Sequence, residues 1–209
     1  MKRRQFLGTL AGTGALLASG RLLADFAEGR NFMRLDSPVD YGLEEGRIKV
    51  VEAFWYGCPH CYSFEPLVQE WKAELSDDIE FEYMPAPLND VWALHARVYY
   101  AAEQLGIVDA IHQPFYDAIH EQGREMRSES AILRFVNQMD QDADAFREAM
   151  RSEDVARKVG RSAERVREYR LEGVPSMVVN GESVVSASMT TSHEQMLEIV
   201  DHLIAEARG

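Results

Sequence analysis

The chain has 209 residues and a formal net charge of −13 at pH 7. That length is enough for one domain with a sizeable core. So acidic a chain argues against nucleic acid or anionic lipid as a partner, and favours a well-solvated surface.

The first 24 residues have the composition of an export signal. A basic start at residues 2–4 is followed by a modestly apolar stretch with several glycines, which runs to about Leu23. Two adjacent arginines ahead of Phe6-Leu7 resemble a twin-arginine signal, and a Sec signal is the alternative. Residues 1–24 are therefore predicted to direct export to an oxidising compartment and to lie outside the fold.

Residues 25–88 contain two predicted strands with a helix between them. An N-terminal arm runs to about residue 40, and an apolar run at residues 50–57 is typical of a buried strand. Apolar residues then recur at helical spacing to about Leu75. Residues 79–84 alternate apolar and acidic side chains, as a half-exposed strand does.

The only two cysteines, Cys58 and Cys61, stand at the junction of the first strand and that helix. Pro59 suits the first turn of a helix, because its missing N–H would have no partner there. Cys58 is therefore expected at the helix N-terminus, where unpaired N–H groups and the positive end of the dipole favour a thiolate. Cys61, one turn further, is close enough to form a disulfide with Cys58.

This cysteine pair predicts a thiol–disulfide redox site. Zinc would need four ligands, and no second cysteine pair exists. Covalent haem would need a histidine after Cys61, where Tyr62 stands. A purely structural disulfide stays open as an alternative, although so short a loop would stabilise little. We predict no metal and no small-molecule cofactor.

The remainder of the chain is first helical and then returns to strands. Residues 89–168 carry helical spacing without a strand signal, and residues 177–179 and 183–185 flank Asn180-Gly181 as in a hairpin. A capping box at Thr191 precedes a last helix. The order predicts an α/β chain with a thioredoxin-like fold, made of residues 25–88 and 169–209 and interrupted by an all-helical insertion, residues 89–168.

The residues around the cysteines also carry a family resemblance. Val50-Val51-Glu52-Ala53-Phe54-Trp55, followed by Cys58-Pro59-His60-Cys61-Tyr62, resembles the active-site segment of the DsbA family of periplasmic thiol oxidases. The likeness extends to residues 173–181 and covers roughly residues 40–209. It implies an oxidase that donates its Cys58–Cys61 disulfide to newly exported, unfolded proteins. A membrane quinone reductase of the DsbB type would reoxidise it in the periplasm, and we expect a monomer.

The resemblance also assigns roles to individual residues. In the tetrapeptide Cys58-Pro59-His60-Cys61, the sulfur of Cys58 is the one attacked, and His60 near it stabilises the thiolate. Glu52 matches a buried acid of the family that lies beneath Cys61 and relays the proton of Cys61. The alternative is that Glu52 lies near the end of its strand and reaches solvent. Val174-Pro175 matches a cis peptide bond beside the disulfide, which would expose the Val174 backbone to a substrate peptide.

Two further features bear on these roles. The stretch after Pro87, Leu88-Asn89-Asp90, carries no lysine that could balance the charge of Glu52, where the best-known members of the family lead us to expect one. The histidines outside the tetrapeptide are scattered, and we expect surface or capping positions for them: His95, His112, His120, His193 and His202.

Two other classes of function compete with the oxidase. One is a disulfide reductase or isomerase of the same fold, and the other is a non-catalytic binding module whose cysteines are structural. Only an oxidase would transfer its disulfide stoichiometrically to a reduced, unfolded protein.

Overall fold

A five-stranded mixed sheet forms the centre of the computed structural model, which describes residues 26–209. Its strands are β1 (Met33–Arg34), β2 (Ile48–Phe54), β3 (Ile79–Pro85), β4 (Ser176–Val179) and β5 (Ser183–Ser186). The strands follow the order β1-β5-β4-β2-β3, in which β2 and β3 are parallel and the other pairs antiparallel. The predicted export signal at residues 1–24 lies outside the described residues.

Seven α-helices surround the sheet over the same part of the chain. They are α1 (Pro59–Ala73), α2 (Asp90–Gln104), α3 (Val108–His120), α4 (Glu129–Gln138), α5 (Ala143–Arg151), α6 (Glu153–Glu168) and α7 (His193–Ala207). Helices α2 to α6 lie between β3 and β4, so the predicted thioredoxin-like order with a helical insertion is confirmed. Between residues 26 and 209, no helix has both the length and the apolar character needed to cross a membrane.

The exact division into residues 25–88, 89–168 and 169–209 stays a prediction. Helix α2 begins at Asp90 and α6 ends at Glu168, close to the predicted limits. One hydrophobic cluster nevertheless joins the sheet to the inserted helices, because Phe54 of β2 packs with Tyr99 of α2 and Tyr116 of α3. The insertion thus shares its core with the rest of the domain.

The two faces of β2 bury different sets of residues, because successive side chains of a strand point to opposite faces. Val50 and Phe54 belong to the cluster that includes Cys61 and Phe64 of α1. Val51 and Ala53 belong to a smaller cluster on the other face, with Val166 of α6. Glu52 shares the face of Val50 and Phe54, so its carboxyl group is directed into the core beneath α1.

Two local details differ from what the sequence predicts. Part of the N-terminal arm forms β1, in which Met33 pairs with Val184. The N-cap of α7 is Ser192 and not Thr191: the Ser192 hydroxyl accepts from the Gln195 N–H at 3.2 Å.

The predicted hairpin is confirmed, with Asn180 and Gly181 at φ angles of 53° and 67°.

Candidate active site

Cys58 is the N-cap residue of α1, as predicted. Its backbone is extended, at φ −86° and ψ 117°, and Pro59 occupies the first helical position. The Cys58 carbonyl accepts the first helical hydrogen bond from the Tyr62 N–H at 3.0 Å. Both cysteines are free in this structure; Cys61 is fully buried, whereas Cys58 is 8% exposed. Another thiol can therefore reach Cys58 but not Cys61.

The two thiols have opposite acidities. The pKa of Cys58 is lowered to about 6, chiefly because the Cys61 thiol donates a hydrogen bond to its sulfur. Burial opposes this shift, while the N–H groups of Cys61 and His60 and the charge of His60 support it. Burial, the hydrogen bond to Cys58 and the charges of Cys58 and Glu52 raise the pKa of Cys61 well above its usual range. Cys58 is therefore a thiolate near neutral pH, and Cys61 retains its proton.

The charge of His60 makes the smallest of the contributions that lower the pKa of Cys58. Its side chain is exposed, and its charge lowers the pKa of Cys58 less than the hydrogen bond from Cys61 or the two backbone N–H groups do. The helix terminus and the second cysteine together therefore matter more than the imidazole.

Replacing His60 by serine should accordingly raise the pKa of Cys58 only slightly. The change removes a nearby positive charge but leaves the helix terminus and the Cys61 hydrogen bond in place. Thiolate absorbance in the far ultraviolet, followed across the acidic and neutral range, would measure the shift, with His202→Ser on α7 as a control. A titration curve identical to that of the wild type would exclude this role of His60.

The peptide bond between Val174 and Pro175 is cis, as the resemblance implied. The Val174 carbonyl oxygen lies 3.5 Å from the Cys58 sulfur. Val174 is partly exposed, while Pro175 is buried. The fold therefore brings together two segments that are far apart along the chain, and the backbone carbonyl of the partly exposed Val174 stands next to the reactive sulfur.

Glu52 is fully buried, so the solvent-exposed alternative is wrong. The described residues provide no hydrogen-bond partner for either of its carboxylate oxygens. Burial raises the pKa of Glu52 well above its usual range; the charge of Glu65 adds to that effect, and Lys72 of α1 opposes it. Ionisation of Glu52 would also raise the pKa of Cys61, which is buried on the same side of β2. Burial therefore favours the protonated form of Glu52.

The expected placement of the scattered histidines is wrong for two of them. His95 and His112 are only 3% and 4% exposed. Each imidazole is tolerated in the core because it has a polar partner there: His95 Nε2 lies 2.8 Å from the Met126 carbonyl oxygen, and His112 Nδ1 lies 2.8 Å from the Tyr56 hydroxyl. A sequence signal for either was absent, since a single histidine in a helical segment is compatible with a surface position.

An aromatic pair lies next to the reactive cysteine. The ring of Trp55 stacks on Trp92 of α2, with centroids 4.2 Å apart and planes 10° from parallel. Trp55 also covers Gly57, where an added Cβ would come within 2.3 Å of the indole ring. Only glycine fits there, so Gly57 lets the chain pass beneath Trp55 directly before Cys58.

Comparison with known proteins identifies the family. The sequence matches the DSBA-like thioredoxin domain over residues 49–198. The chain belongs to the DsbA family. The thiol:disulfide interchange protein DsbA of Azotobacter vinelandii is 32% identical to it, over 99% of each chain.

Solved DsbA structures share the fold as well. The crystal structure of Pseudomonas aeruginosa DsbA superposes with a TM-score of 0.83 at 31% identity, covering 88% of this chain and 95% of that one. DsbA from Xylella fastidiosa gives a TM-score of 0.80 at 29% identity, covering 87% and 97%. This member of the DsbA family is thus a protein disulfide oxidoreductase. Its described residues, 26–209, contain no group of three or more His, Cys, Asp or Glu side chains arranged to hold a metal ion.

Proposed function

We propose that Cys58 and Cys61 form the disulfide with which this DsbA-family protein oxidises thiols of newly exported proteins. The observation that carries the proposal is the difference between the two thiols. Cys58 is the accessible one and has a pKa lowered to about 6, so it is a good leaving group, while Cys61 is buried and holds its proton. A couple whose reduced form is stabilised in this way is a strong oxidant.

The reaction begins when a substrate thiolate attacks the sulfur of Cys58 in the Cys58–Cys61 disulfide. The bond between the two cysteines breaks, and Cys61 leaves with the electron pair. A second substrate thiolate then attacks the substrate sulfur of the mixed disulfide, and Cys58 leaves as a thiolate. The substrate has lost two electrons and gained a disulfide; the protein has gained two electrons and holds one proton on Cys61.

Glu52 supplies that proton. A thiolate at Cys61 would be buried away from water, which is costly, and Glu52 is a buried carboxyl group on the same side of β2 whose protonated form is favoured. Transfer of the proton from Glu52 to the departing sulfur makes Cys61 a neutral thiol. The carbonyl of Val174 beside Cys58 would accept a backbone N–H of the substrate peptide, next to the cis Pro175.

The remaining partners follow from the chemistry. Because each turnover leaves the protein reduced, an electron acceptor must restore the disulfide, and we propose a DsbB-like quinone reductase in the membrane. We also propose that residues 1–24 direct the chain to the periplasm, where disulfides persist.

A direct test is to mix the oxidised protein with reduced, unfolded ribonuclease A and count the thiols that disappear. An oxidase consumes two substrate thiols per protein molecule, and the Cys58→Ser variant consumes none. Reactivation of scrambled ribonuclease without loss of thiols would indicate an isomerase. No exchange at all would indicate a binding module with structural cysteines.

A further inference from the structure

A group of polar side chains lies buried behind the two cysteines, between the sheet, α1 and α3. Glu65 and His112 are 0% and 4% exposed. Glu65 follows Cys61 by four residues on α1, so both lie on the same side of the helix. Glu52 of β2 faces them from the sheet. The proposed reaction uses Glu52 but gives no part to Glu65 or His112.

The carboxyl group of Glu65 has partners at both oxygens. Oε1 accepts hydrogen bonds from Gln69 Nε2 at 2.6 Å and from the Tyr83 hydroxyl at 2.8 Å. Oε2 lies 3.4 Å from His112 Nε2, which is the separation of an ion pair rather than of a well-aligned hydrogen bond. A buried carboxylate requires compensation of this kind, and His112 is the group that faces its second oxygen.

The orientation of the His112 ring is determined by its other nitrogen. Nδ1 lies 2.8 Å from the Tyr56 hydroxyl, which leaves Nε2 directed at Glu65. A carboxylate can only accept a hydrogen bond, so the proton belongs on Nε2. Five aromatic rings pack around the imidazole at centroid distances of 4.8 to 5.7 Å and exclude water from it: Phe54, Tyr56, Tyr83, Tyr99 and Tyr116.

Few of the groups around His112 can carry a charge at neutral pH. Titratable groups face His112 from every element packed around it. The sheet and the loop after β2 contribute Glu52, Tyr56 and Tyr83. The helices contribute Glu65 and Lys72 of α1, Tyr99 of α2 and Tyr116 of α3. Burial raises the pKa of all four tyrosines, so their hydroxyls stay neutral. The titration of the cluster is thus decided by its two carboxyl groups, Glu52 and Glu65.

The two carboxyl groups differ in their compensation. Burial would raise the pKa of Glu65, but His112, Gln69 and Tyr83 outweigh burial, and the pKa is lowered. Glu52 has no hydrogen-bond partner among the described residues, and the charge of Glu65 adds to burial in raising its pKa. When only one of the two carboxyl groups is protonated, the proton is therefore on Glu52.

We propose that His112 is a positioning residue for disulfide exchange, which acts on Cys61 through the carboxyl groups of Glu65 and Glu52. His112 holds Glu65 as the carboxylate, and the negative charge of Glu65 keeps the proton on Glu52. Glu52 is the carboxyl group beside Cys61, so the proton is available where the leaving sulfur needs it. This inference rests on the proposed oxidase function.

The test is the pH profile of a single turnover, in which the oxidised protein reacts with a reduced dithiol peptide between pH 5 and 9. The three variants are His112→Phe, Glu65→Gln and the double variant. Each is compared with the wild type at the same pH, so that the ionisation of the peptide affects both rates equally. Phenylalanine keeps the ring that packs among the aromatic side chains. His95→Phe is the matched control, because His95 is equally buried but contacts the Met126 carbonyl instead of a carboxylate.

Loss of His112 lets Glu65 take up the proton, and Glu52, relieved of a neighbouring negative charge, then ionises at a lower pH. The pH at which the rate of disulfide transfer has fallen to half should be about one unit lower than in the wild type. At a fixed pH above both midpoints, the rate of the variant is then about tenfold lower. Glu65→Gln should give the same shift, the double variant no more than either single one, and His95→Phe none.

Several results would overturn the role of His112. A folded His112→Phe variant with the wild-type midpoint would do so, and so would a double variant whose shift is the sum of two independent ones. Where His112→Phe does not fold, an unshifted Glu65→Gln profile would overturn the role equally. A wild-type protein that transfers no disulfide to the peptide would instead refute the oxidase function itself.

Discussion

Replacing Glu52 by glutamine should slow the opening of the Cys58–Cys61 disulfide on the order of a hundredfold, the usual contribution of a positioned acid. The side chain keeps its shape, but the proton that Cys61 needs is lost. The pKa of Cys58 should stay near 6, because Glu52 is not among the groups that lower it. Stopped-flow measurement of mixed-disulfide formation, combined with a thiolate titration, would separate the two effects.

The same substitution should stabilise the folded protein by about 1–4 kcal/mol at neutral pH, because the carboxyl group of Glu52 must take up a proton on folding and the glutamine amide need not. The sign follows from the raised pKa of Glu52: the unfolded carboxyl group ionises near its ordinary value of 4.5, while the folded one stays protonated. The gain should therefore be absent below about pH 4 and grow as the pH rises. Glu80→Gln on β3, whose carboxylate is half-exposed and paired with Lys49, is the control. Unchanged kinetics in Glu52→Gln would refute the proton relay.

The second large effect concerns the stability of the reduced protein. We expect the reduced form to be more stable than the oxidised form at pH 7, and the difference to widen between about pH 6 and 8.5. The folded pKa of Cys58 is about 6, and that of an unfolded cysteine is near 8.5, so in this range the unfolded chain binds more protons. The stabilisation is complete above the unfolded pKa and is lost as the pH falls through the folded one.

The size of this effect follows from the shift. Each pKa unit corresponds to about 1.4 kcal/mol, and partial access of solvent to the sulfur reduces the total to about 2 kcal/mol over the window. Above about pH 8.5 the stability of the reduced form relative to the oxidised form should decrease again. The reason is that Cys61 keeps its proton in the folded protein but ionises in the unfolded chain. Paired urea melts of the reduced and oxidised forms at pH 5.5, 7 and 8.5 would measure it. The Cys58→Ser variant cannot form the disulfide, and its free energy of unfolding should lack the gain that Cys58 gives the reduced wild type as the pH rises. A constant difference between the two wild-type forms would show that the Cys58 thiolate does not stabilise the fold.

The features that the sequence could predict are those encoded within a few adjacent residues. A buried strand followed by cysteine and proline determines the start of α1, and Asn180-Gly181 between two apolar runs determines a hairpin. Both rest on local backbone preferences. The start of α7 shows the limit of such signals, because Thr191 and Ser192 are adjacent hydroxyl residues that both suit an N-cap.

Features that depend on distant packing could not be predicted. The pairing of β1 with β5 involves a two-residue strand, too short for any periodic pattern. Glu65 and His112 belong to different helices, and each alone is compatible with a surface position. Their contact exists because α1 and α3 pack together around Phe54, which tertiary structure alone decides.

The most direct test of the oxidase function is the equilibrium of the Cys58–Cys61 couple with glutathione. We predict a couple far more oxidising than glutathione, in the range of the family's known value of about −120 mV, so that the protein is almost entirely reduced in a balanced glutathione buffer. The stabilised Cys58 thiolate is the physical reason. A potential near that of thioredoxin, about −270 mV, would contradict the oxidase function and make this protein a reductase.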